Sequence, residues 1–271
     1  MPELPEIRIL ARQMDEALRG KRITHVDITQ PKCLNLPVDD FRAAVIGARV
    51  EHADDHGKWI FVKTNQGHLL INLGMGGEIL LVTRDTLPEK HRIIFDFDDE
   101  TCLAINFWWF GYVHYAAPDA LSEHEMTAKL GPNALDMKAD ALRELLKGRR
   151  GQIKNYLLKQ SEIAGIGNFY VHDILFEAGL HPQRKANTLS DADFDALHAA
   201  MQHRLQLSLE QHGAAYEVDL YGDKGGFTQD EFLVAYREGE ACPVCGTTIE
   251  KIVTGSTSSF ICPPCQSIEK A

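Results

Sequence analysis

Long apolar runs are missing from this 271-residue sequence, because none approaches the ~20 residues that span a bilayer. The amino terminus also lacks the basic-then-apolar order of a secretory signal peptide, so we expect a cytoplasmic protein. An excess of positive charge is absent, and the formal net charge of −11 argues weakly against a polyanionic partner. The composition, 44% hydrophobic and 25% charged, is typical of a globular chain long enough for two domains.

The charge is nevertheless uneven along the chain. Between Lys138 and Lys159, seven basic residues accompany two acidic ones, which leaves a local excess of five positive charges. Phosphate contacts depend on charge within about a Debye length, so this segment is a candidate nucleic-acid contact. A solvated helix face accounts for the same pattern equally well.

The first six residues, MPELPE, allow two interpretations. An initiator Met before a small residue is usually removed, which would give Pro2 a free secondary amine. An α-amine titrates near pH 8, so about ten per cent is neutral at pH 7 and able to form a Schiff base with a carbonyl carbon. Glu3 and Glu6 can then move protons. Alternatively, the hexapeptide is only a helix start, with Pro5 in the first turn and early acids favoured by the helix dipole.

A helix followed by strands is predicted for the first half of the chain. Apolar spacing over residues 6–18 predicts the helix, and Gly20 is its stop signal. Short runs rich in β-branched and aromatic residues follow, separated by turn residues. These runs are Arg22–Ile28, Trp59–Thr64, His68–Leu73, Glu78–Val82, Arg92–Phe97 and Tyr112–Tyr115. The pattern predicts an antiparallel β-sandwich domain over residues 1–130.

Loop residues at 130–133 mark the boundary to a helical domain, predicted over residues 131–235. Its helices are expected at Ala139–Lys147, Ile153–Lys159, Phe169–Ala178 and Ser190–His212. A four-cysteine segment over residues 236–271 ends the chain. The predicted fold class is therefore α+β.

The cysteine spacing predicts a metal site. Cys242 and Cys245 form one C-x2-C knuckle, and Cys262 and Cys265 form a second one sixteen residues later. Such spacing is typical of four thiolates around one zinc ion, the alternative being disulfides, which a cytosolic chain disfavours. Four protein ligands leave no open position, so the zinc would hold the fold of a β-hairpin finger and do no chemistry.

The Pro-Glu terminus, β domain, helical segment and finger, in this order, resemble the formamidopyrimidine-DNA glycosylase / endonuclease VIII family over essentially the whole chain. The matching segments are MPELPE (1–6), HGKWIF (56–61), NLGMGG (72–77), FG (110–111), IAGIGNFYVHDILFEAGLHP (163–182) and CPVC…CPPCQ (242–266). The resemblance implies a bifunctional DNA glycosylase / AP lyase of base excision repair, a nucleoid-associated monomer that acts on damaged DNA. A catalytically weak homologue that binds damaged or abasic DNA is the alternative.

The resemblance also implies catalytic roles. Pro2 would attack C1′ of the damaged nucleotide and form a Schiff base, after which β- and δ-elimination cut the strand. Glu3 would transfer a proton at the sugar oxygen, and Glu6 would position groups by hydrogen bonding. Lys58 would contact a phosphate beside the lesion. A single lysine is more often a surface residue, and only the register with HGKWIF supports this last role.

DNA contacts are implied in the same way. Asn168 and Lys154 match phosphate-binding residues, Asn168 within a helix–two-turn–helix element over residues 163–182. Met75 and Phe110 match wedge residues that fill the gap left by a flipped-out base. The turn before Asn168 is equally compatible with an ordinary helix start that asparagine caps.

Three positions depart from the family pattern. The arginine that pairs with the orphaned base is replaced by Trp108, which can stack on a base but cannot read its edge, so we expect weak or altered opposite-base discrimination. The alternative is that Trp108 and Trp109 fill core. The finger arginine falls on Thr257, which loses a charge-assisted phosphate contact. Asp173 stands where the family usually has glutamate.

Overall fold

The computed structural model describes residues 1–268, and the chain divides into two compact units. The first unit comprises residues 1–129 and 211–226, and the second comprises residues 130–210 together with the described residues from 227 to 268. Residues 211–226 thus pack within the first unit, although their place in the sequence assigns them to the 131–235 segment. No helix in the described residues is both long and apolar enough to cross a membrane.

The first unit is built on one long helix, α1 (Leu4–Leu18), and two four-stranded antiparallel sheets. One sheet has the order β1-β6-β7-β5 and the other β2-β3-β4-β8. The strands are β1 (Ile23–Ile28), β2 (Val50–His56), β3 (Trp59–Thr64), β4 (Gly67–Asn72), β5 (Glu78–Thr83), β6 (Ile93–Phe97), β7 (Thr101–Asn106) and β8 (Tyr112–Ala116). A short helix, α2 (Val38–Val45), follows β1.

The core of this unit joins α1 to both sheets in one hydrophobic cluster. Met14 of α1, Val26 of β1 and Ile60 of β3 are fully buried members of it. The amphipathic face predicted for the helix therefore packs on a two-layer sandwich, and the predicted α+β class with an amino-terminal β-sandwich is confirmed.

Up to residue 268, the second unit contains four α-helices and a two-stranded hairpin. The helices are α3 (Ala139–Leu146), α4 (Ile153–Leu158), α5 (Val171–Glu177) and α6 (Asp191–Glu210), and the hairpin strands are β9 (Glu250–Thr254) and β10 (Thr257–Ile261). Ser190 and Asp193 cap α6 reciprocally, with N···O distances of 2.9 and 3.2 Å. Phe176 of α5 packs in one buried cluster with Ile249 and Phe260, so the finger shares its core with the helices.

Candidate active site and nucleic-acid interface

The start of α1 places two buried carboxylates beside the chain terminus. The Glu3 amide donates to Glu6 Oε2 at 2.9 Å, half of a reciprocal capping box, and Pro5 lies in the first turn. Glu6 Oε1 also accepts from the Ala214 amide at 3.1 Å. Glu3 and Glu6 are 4% and 6% exposed. Both therefore act as helix-cap residues while lying next to Pro2, and the two interpretations of MPELPE are compatible.

Lys58 of the first unit lies beside these carboxylates. It sits in the two-residue turn between β2 and β3, where Gly57 has a φ of +61°. Its Nζ lies 3.8 Å from Glu3 Oε1, and its side chain is 14% exposed. Asn72 Nδ2 donates to the Lys58 carbonyl at 2.9 Å and so holds the turn. The structure brings Lys58 and Glu3 together, as a shared site requires.

A further ion pair, which sequence reasoning missed, fixes the geometry of this site. Arg8 of α1 makes a two-pronged contact with Asp55 of β2, with both N···O distances 3.0 Å. Both side chains are nearly buried. Because planar pairs of this kind are strongly directional, the contact orients α1 relative to the hairpin that carries Lys58.

Glu217 is a third carboxylate at the chain terminus, and sequence reasoning missed it as well. Its Oε1 lies 3.6 Å from the Met1 α-amine, and its side chain is 12% exposed. Burial raises the pKa of Glu217 to about 7; the amine opposes the rise, whereas the Glu6 and Glu3 carboxylates add to it. This carboxylate therefore holds a proton up to a higher pH than an ordinary glutamate does.

The predicted wedge residues Met75 and Phe110 form an exposed apolar surface together with Trp108 and Trp109, and we call these four residues the wedge surface. These side chains are 52%, 69%, 69% and 65% exposed, so the alternative that the two tryptophans fill core is wrong. Met75 N donates to Trp109 O at 2.9 Å, and Trp108 N donates to Met75 O at 3.1 Å. Two separate segments are thereby joined into one surface.

The glycine before Met75 permits this close approach. Gly74 has a φ of +55°, and a Cβ at this position would lie 2.1 Å from the Trp109 carbonyl oxygen. Asn72 Oδ1 accepts from the Gly74 amide at 3.0 Å, while its amide group holds the Lys58 turn. Asn72 therefore links the wedge surface to the candidate active site.

Lys154, in the second unit, is fully buried against the turn end of the β9–β10 hairpin. Its ammonium donates to Thr257 Oγ1 at 3.0 Å, to Ser259 Oγ at 2.9 Å and to the Ser258 carbonyl. Burial lowers the pKa of Lys154 to about 8. The residue expected to contact phosphate thus holds the finger turn.

The hydroxyl of Thr257 is engaged within the protein. It accepts from Lys154 and lies 3.4 Å from the Thr254 carbonyl, to which it donates. Asn168, by contrast, is exposed in the turn before α5, and its main-chain carbonyl accepts from Tyr236 Oη at 3.4 Å. Of these two predicted phosphate contacts, Asn168 is the accessible one.

Asp173 organises the chain between α6 and the finger. Its Oδ1 accepts from the amides of Val234 and Ala235 at 2.8 and 3.0 Å, and Oδ2 lies 3.4 Å from Arg204 Nη2. Burial raises the pKa of Asp173 against the effect of these donors. The short aspartate side chain therefore holds an adjacent backbone segment.

The four finger cysteines form a compact sulfur cluster. Three Sγ···Sγ distances are 3.3, 3.6 and 3.9 Å, and all four sulfurs lie within 4.8 Å of one another. Tetrahedral zinc with Zn–S bonds of about 2.3 Å requires sulfur separations of about 3.8 Å, so the cluster fits zinc. Cys242, Cys245, Cys262 and Cys265 thus form the predicted structural zinc site.

By fold and site, the chain is a zinc-finger protein with a β-sandwich unit and an acidic amino-terminal site. Family models match three segments: the formamidopyrimidine-DNA glycosylase N-terminal domain (1–106), its H2TH domain (130–219), and the zinc finger found in FPG and IleRS (239–268). The chain belongs to the formamidopyrimidine-DNA glycosylase family, which confirms the predicted resemblance.

Individual relatives match over almost their whole length. The formamidopyrimidine-DNA glycosylase of Chloroflexus aurantiacus is 35% identical over 272 residues, covering 98% of each chain. That of Magnetococcus marinus is 34% identical over 277 residues, covering 98% of this chain and 99% of the relative. Among solved structures, the complex between the Lactococcus lactis Fpg and an abasic-site-containing DNA matches with a TM-score of 0.88 at 27% identity, covering 98% of this chain and 99% of that one.

Proposed function

We propose that this chain excises damaged bases from DNA with Pro2 as the nucleophile, and that it then cleaves the abasic strand as an AP lyase. The class of enzyme, a DNA glycosylase of base excision repair, follows from its family. The assignment of roles to residues is carried by one observation. Buried Glu3 and Glu6 and the nearly buried Lys58 converge at the start of the chain.

The chemistry of these groups suits the reaction. After removal of Met1, Pro2 presents a secondary amine, and about ten per cent of an ordinary α-amine is neutral at pH 7. The lone pair of the neutral amine forms a bond to C1′ while the bond from C1′ to the damaged base breaks, and the amine proton is released. Glu3 then donates a proton to the sugar ring oxygen as the C1′–O4′ bond breaks, and the nitrogen lone pair completes the Schiff base. Lys58, 3.8 Å from Glu3, supplies positive charge for an adjacent phosphate.

The remaining surfaces provide for DNA binding. Met75, Trp108 and Phe110 fill the gap that a flipped-out nucleotide leaves, which offsets part of the few kcal/mol that flipping costs. Asn168 contacts a phosphate, while Lys154 and Thr257 support the finger that approaches the backbone. We expect the protein to act on damaged DNA in the cytoplasm, at the nucleoid, and as a monomer.

Borohydride trapping on abasic-site DNA tests the proposal. Only an amine that forms an imine becomes covalently linked, so protein whose Met1 loss is verified by intact mass should crosslink. A variant with one additional residue that blocks trimming turns Pro2 into an amide and should not crosslink, although it should still bind. Binding without crosslinking by the trimmed protein would favour the catalytically weak homologue instead.

A further inference from the structure

We propose that Glu217 accepts the proton that Pro2 must lose before it attacks the sugar, which makes Glu217 a third carboxylate of the active site. The inference rests on the proposed function of Pro2. It assigns a role to a residue from the segment 211–226, which belongs to the first unit but lies far from Pro2 in the sequence.

The distances restrict where this carboxylate can act. Glu217 Oε1 lies 3.6 Å from the Met1 nitrogen. Backbone bond lengths place the nitrogens of adjacent residues at most about 3.7 Å apart, so the Pro2 nitrogen is within about 7 Å of Glu217. Loss of Met1 removes the residue whose amine now contacts Glu217. Within the limit of about 7 Å, a direct hydrogen bond or one bridging water molecule would carry the proton.

The neighbouring carboxylates are committed to other contacts. Glu6 accepts main-chain hydrogen bonds through both oxygens, from Glu3 and from Ala214. Glu3 faces Lys58 and is assigned to the sugar oxygen. Glu217 contacts the terminal amine through Oε1. The other ionisable groups around the terminus are Glu3, Glu6, Lys58, His212 and Asp219.

The proton transfer balances without any co-reactant. One N–H bond of the Pro2 ammonium breaks, one O–H bond forms on Glu217, and the nitrogen keeps the electron pair that it uses against C1′. The pKa of Glu217, about 7, is close to the value near 8 of an ordinary α-amine. A carboxylate with an ordinary pKa near 4.3 would be a far weaker acceptor.

Single-turnover borohydride trapping on abasic-site duplex, measured from about pH 5.5 to 9, tests the proposal. Glu217→Gln should trap about a hundredfold more slowly at pH 7 and lose the titration near pH 7, because general-base assistance is removed. Glu217→Asp keeps the carboxylate and should recover part of the rate. Glu16→Gln, an exposed carboxylate of α1, is the matched control for loss of one charge. All rates are normalised to the trimmed fraction measured by intact mass.

The outcomes separate the two proposals. Wild-type protein that does not trap would overturn the function of Pro2 and this inference with it. If the wild type traps and Glu217→Gln traps at the wild-type rate or with the wild-type pH midpoint, the role of Glu217 alone would be overturned. Melting temperatures and affinities for the abasic duplex should match among the variants, since a merely structural role for Glu217 would change these quantities instead.

Discussion

Replacement of Lys154 by methionine tests whether this residue anchors the finger or contacts phosphate. Methionine has a similar length and is apolar, so it fills the buried space without its own desolvation penalty. The substitution removes three hydrogen bonds, to Thr257, Ser259 and the Ser258 carbonyl. The serine and threonine hydroxyls keep other partners, because both also bond within the Thr254 turn.

The expected loss of stability in Lys154→Met follows from two opposing contributions to the free energy of unfolding. Each hydrogen bond from a charged donor contributes about 2 kcal/mol, so three contribute about 6 kcal/mol. Burial of the ammonium, which lowers the pKa of Lys154 from 10.5 to about 8, costs about 3 kcal/mol at 1.36 kcal/mol per unit. The second unit of Lys154→Met should therefore lose about 3 kcal/mol of stability at pH 7.

The same pKa difference gives a signed pH dependence. Above pH 8 the folded protein releases the Lys154 proton, whereas the unfolded chain keeps it up to about pH 10.5. The unfolded state binds more protons in this window, so the wild-type stability gains about 3 kcal/mol between these values. Below pH 8 the penalty is fully present, and Lys154→Met should lack the rise.

The assay must report on the second unit. All three tryptophans, Trp59, Trp108 and Trp109, belong to the first unit, so their fluorescence is uninformative here. Urea unfolding is instead followed by far-ultraviolet circular dichroism and by zinc release to a chromogenic chelator. Lys147→Met, at an exposed position after α3, is the control.

The salt dependence of DNA affinity shows whether Lys154 contacts phosphate instead of anchoring the finger. A lost phosphate contact lowers the slope of log affinity against log salt by about 0.9, whereas loss of an internal anchor leaves the slope unchanged. Unchanged stability together with a shallower salt slope would show that Lys154 contacts DNA and that its buried position here is not the one that functions.

Two further predictions concern the wedge surface and the metal. With tryptophan in place of arginine, the wild type should excise a damaged base at similar rates opposite each of the four bases. Trp108→Ala should weaken binding of an abasic duplex by about 1–3 kcal/mol, and Trp108→Arg should create a preference for one opposite base. A sharp opposite-base preference in the wild type would contradict the stacking interpretation. Zinc removal, by chelation or by Cys262→Ser, should unfold the finger and abolish DNA binding, while the tryptophan fluorescence of the first unit stays constant. DNA binding retained by the zinc-free protein would contradict a structural role for the metal.

The sequence predicted elements well where burial is periodic. The helices expected at Ala139–Lys147 and Ile153–Lys159 end within one residue of α3 and α4. Strand β2 was missed because its sequence, VEHADDH, is largely polar, and only Val50 and Ala53 are buried. It is a strand because its backbone pairs with β3 up to His56 opposite Trp59. Backbone pairing does not require hydrophobic alternation in the strand's own sequence, so this strand carries no sequence signal.

Some residues of the candidate site could be predicted from local sequence patterns, whereas others could not. Cysteine spacing and the MPELPE segment are local patterns, and both pointed to residues that the structure brings together. The contacts of Glu217 with Met1 and of Lys154 with Thr257 join residues more than a hundred positions apart. No periodicity connects such partners, so only the folded chain reveals that one lysine is buried and that a third carboxylate faces the terminus.

The local excess of positive charge between Lys138 and Lys159 shows why a count of basic residues along the sequence overestimates the charge available for binding phosphates. Acids from other parts of the second unit compensate several of these cations. The pairs are Arg143 with Asp195, and Arg149 and Lys159 with Glu162. Lys154 is buried, and outside these ion pairs the exposed cations of the segment are Lys138, Lys147 and Arg150. Because one carboxylate cannot neutralise both Arg149 and Lys159, this segment can neutralise about four phosphates. Under the proposed function, neutral donors such as Asn168 add further backbone contacts.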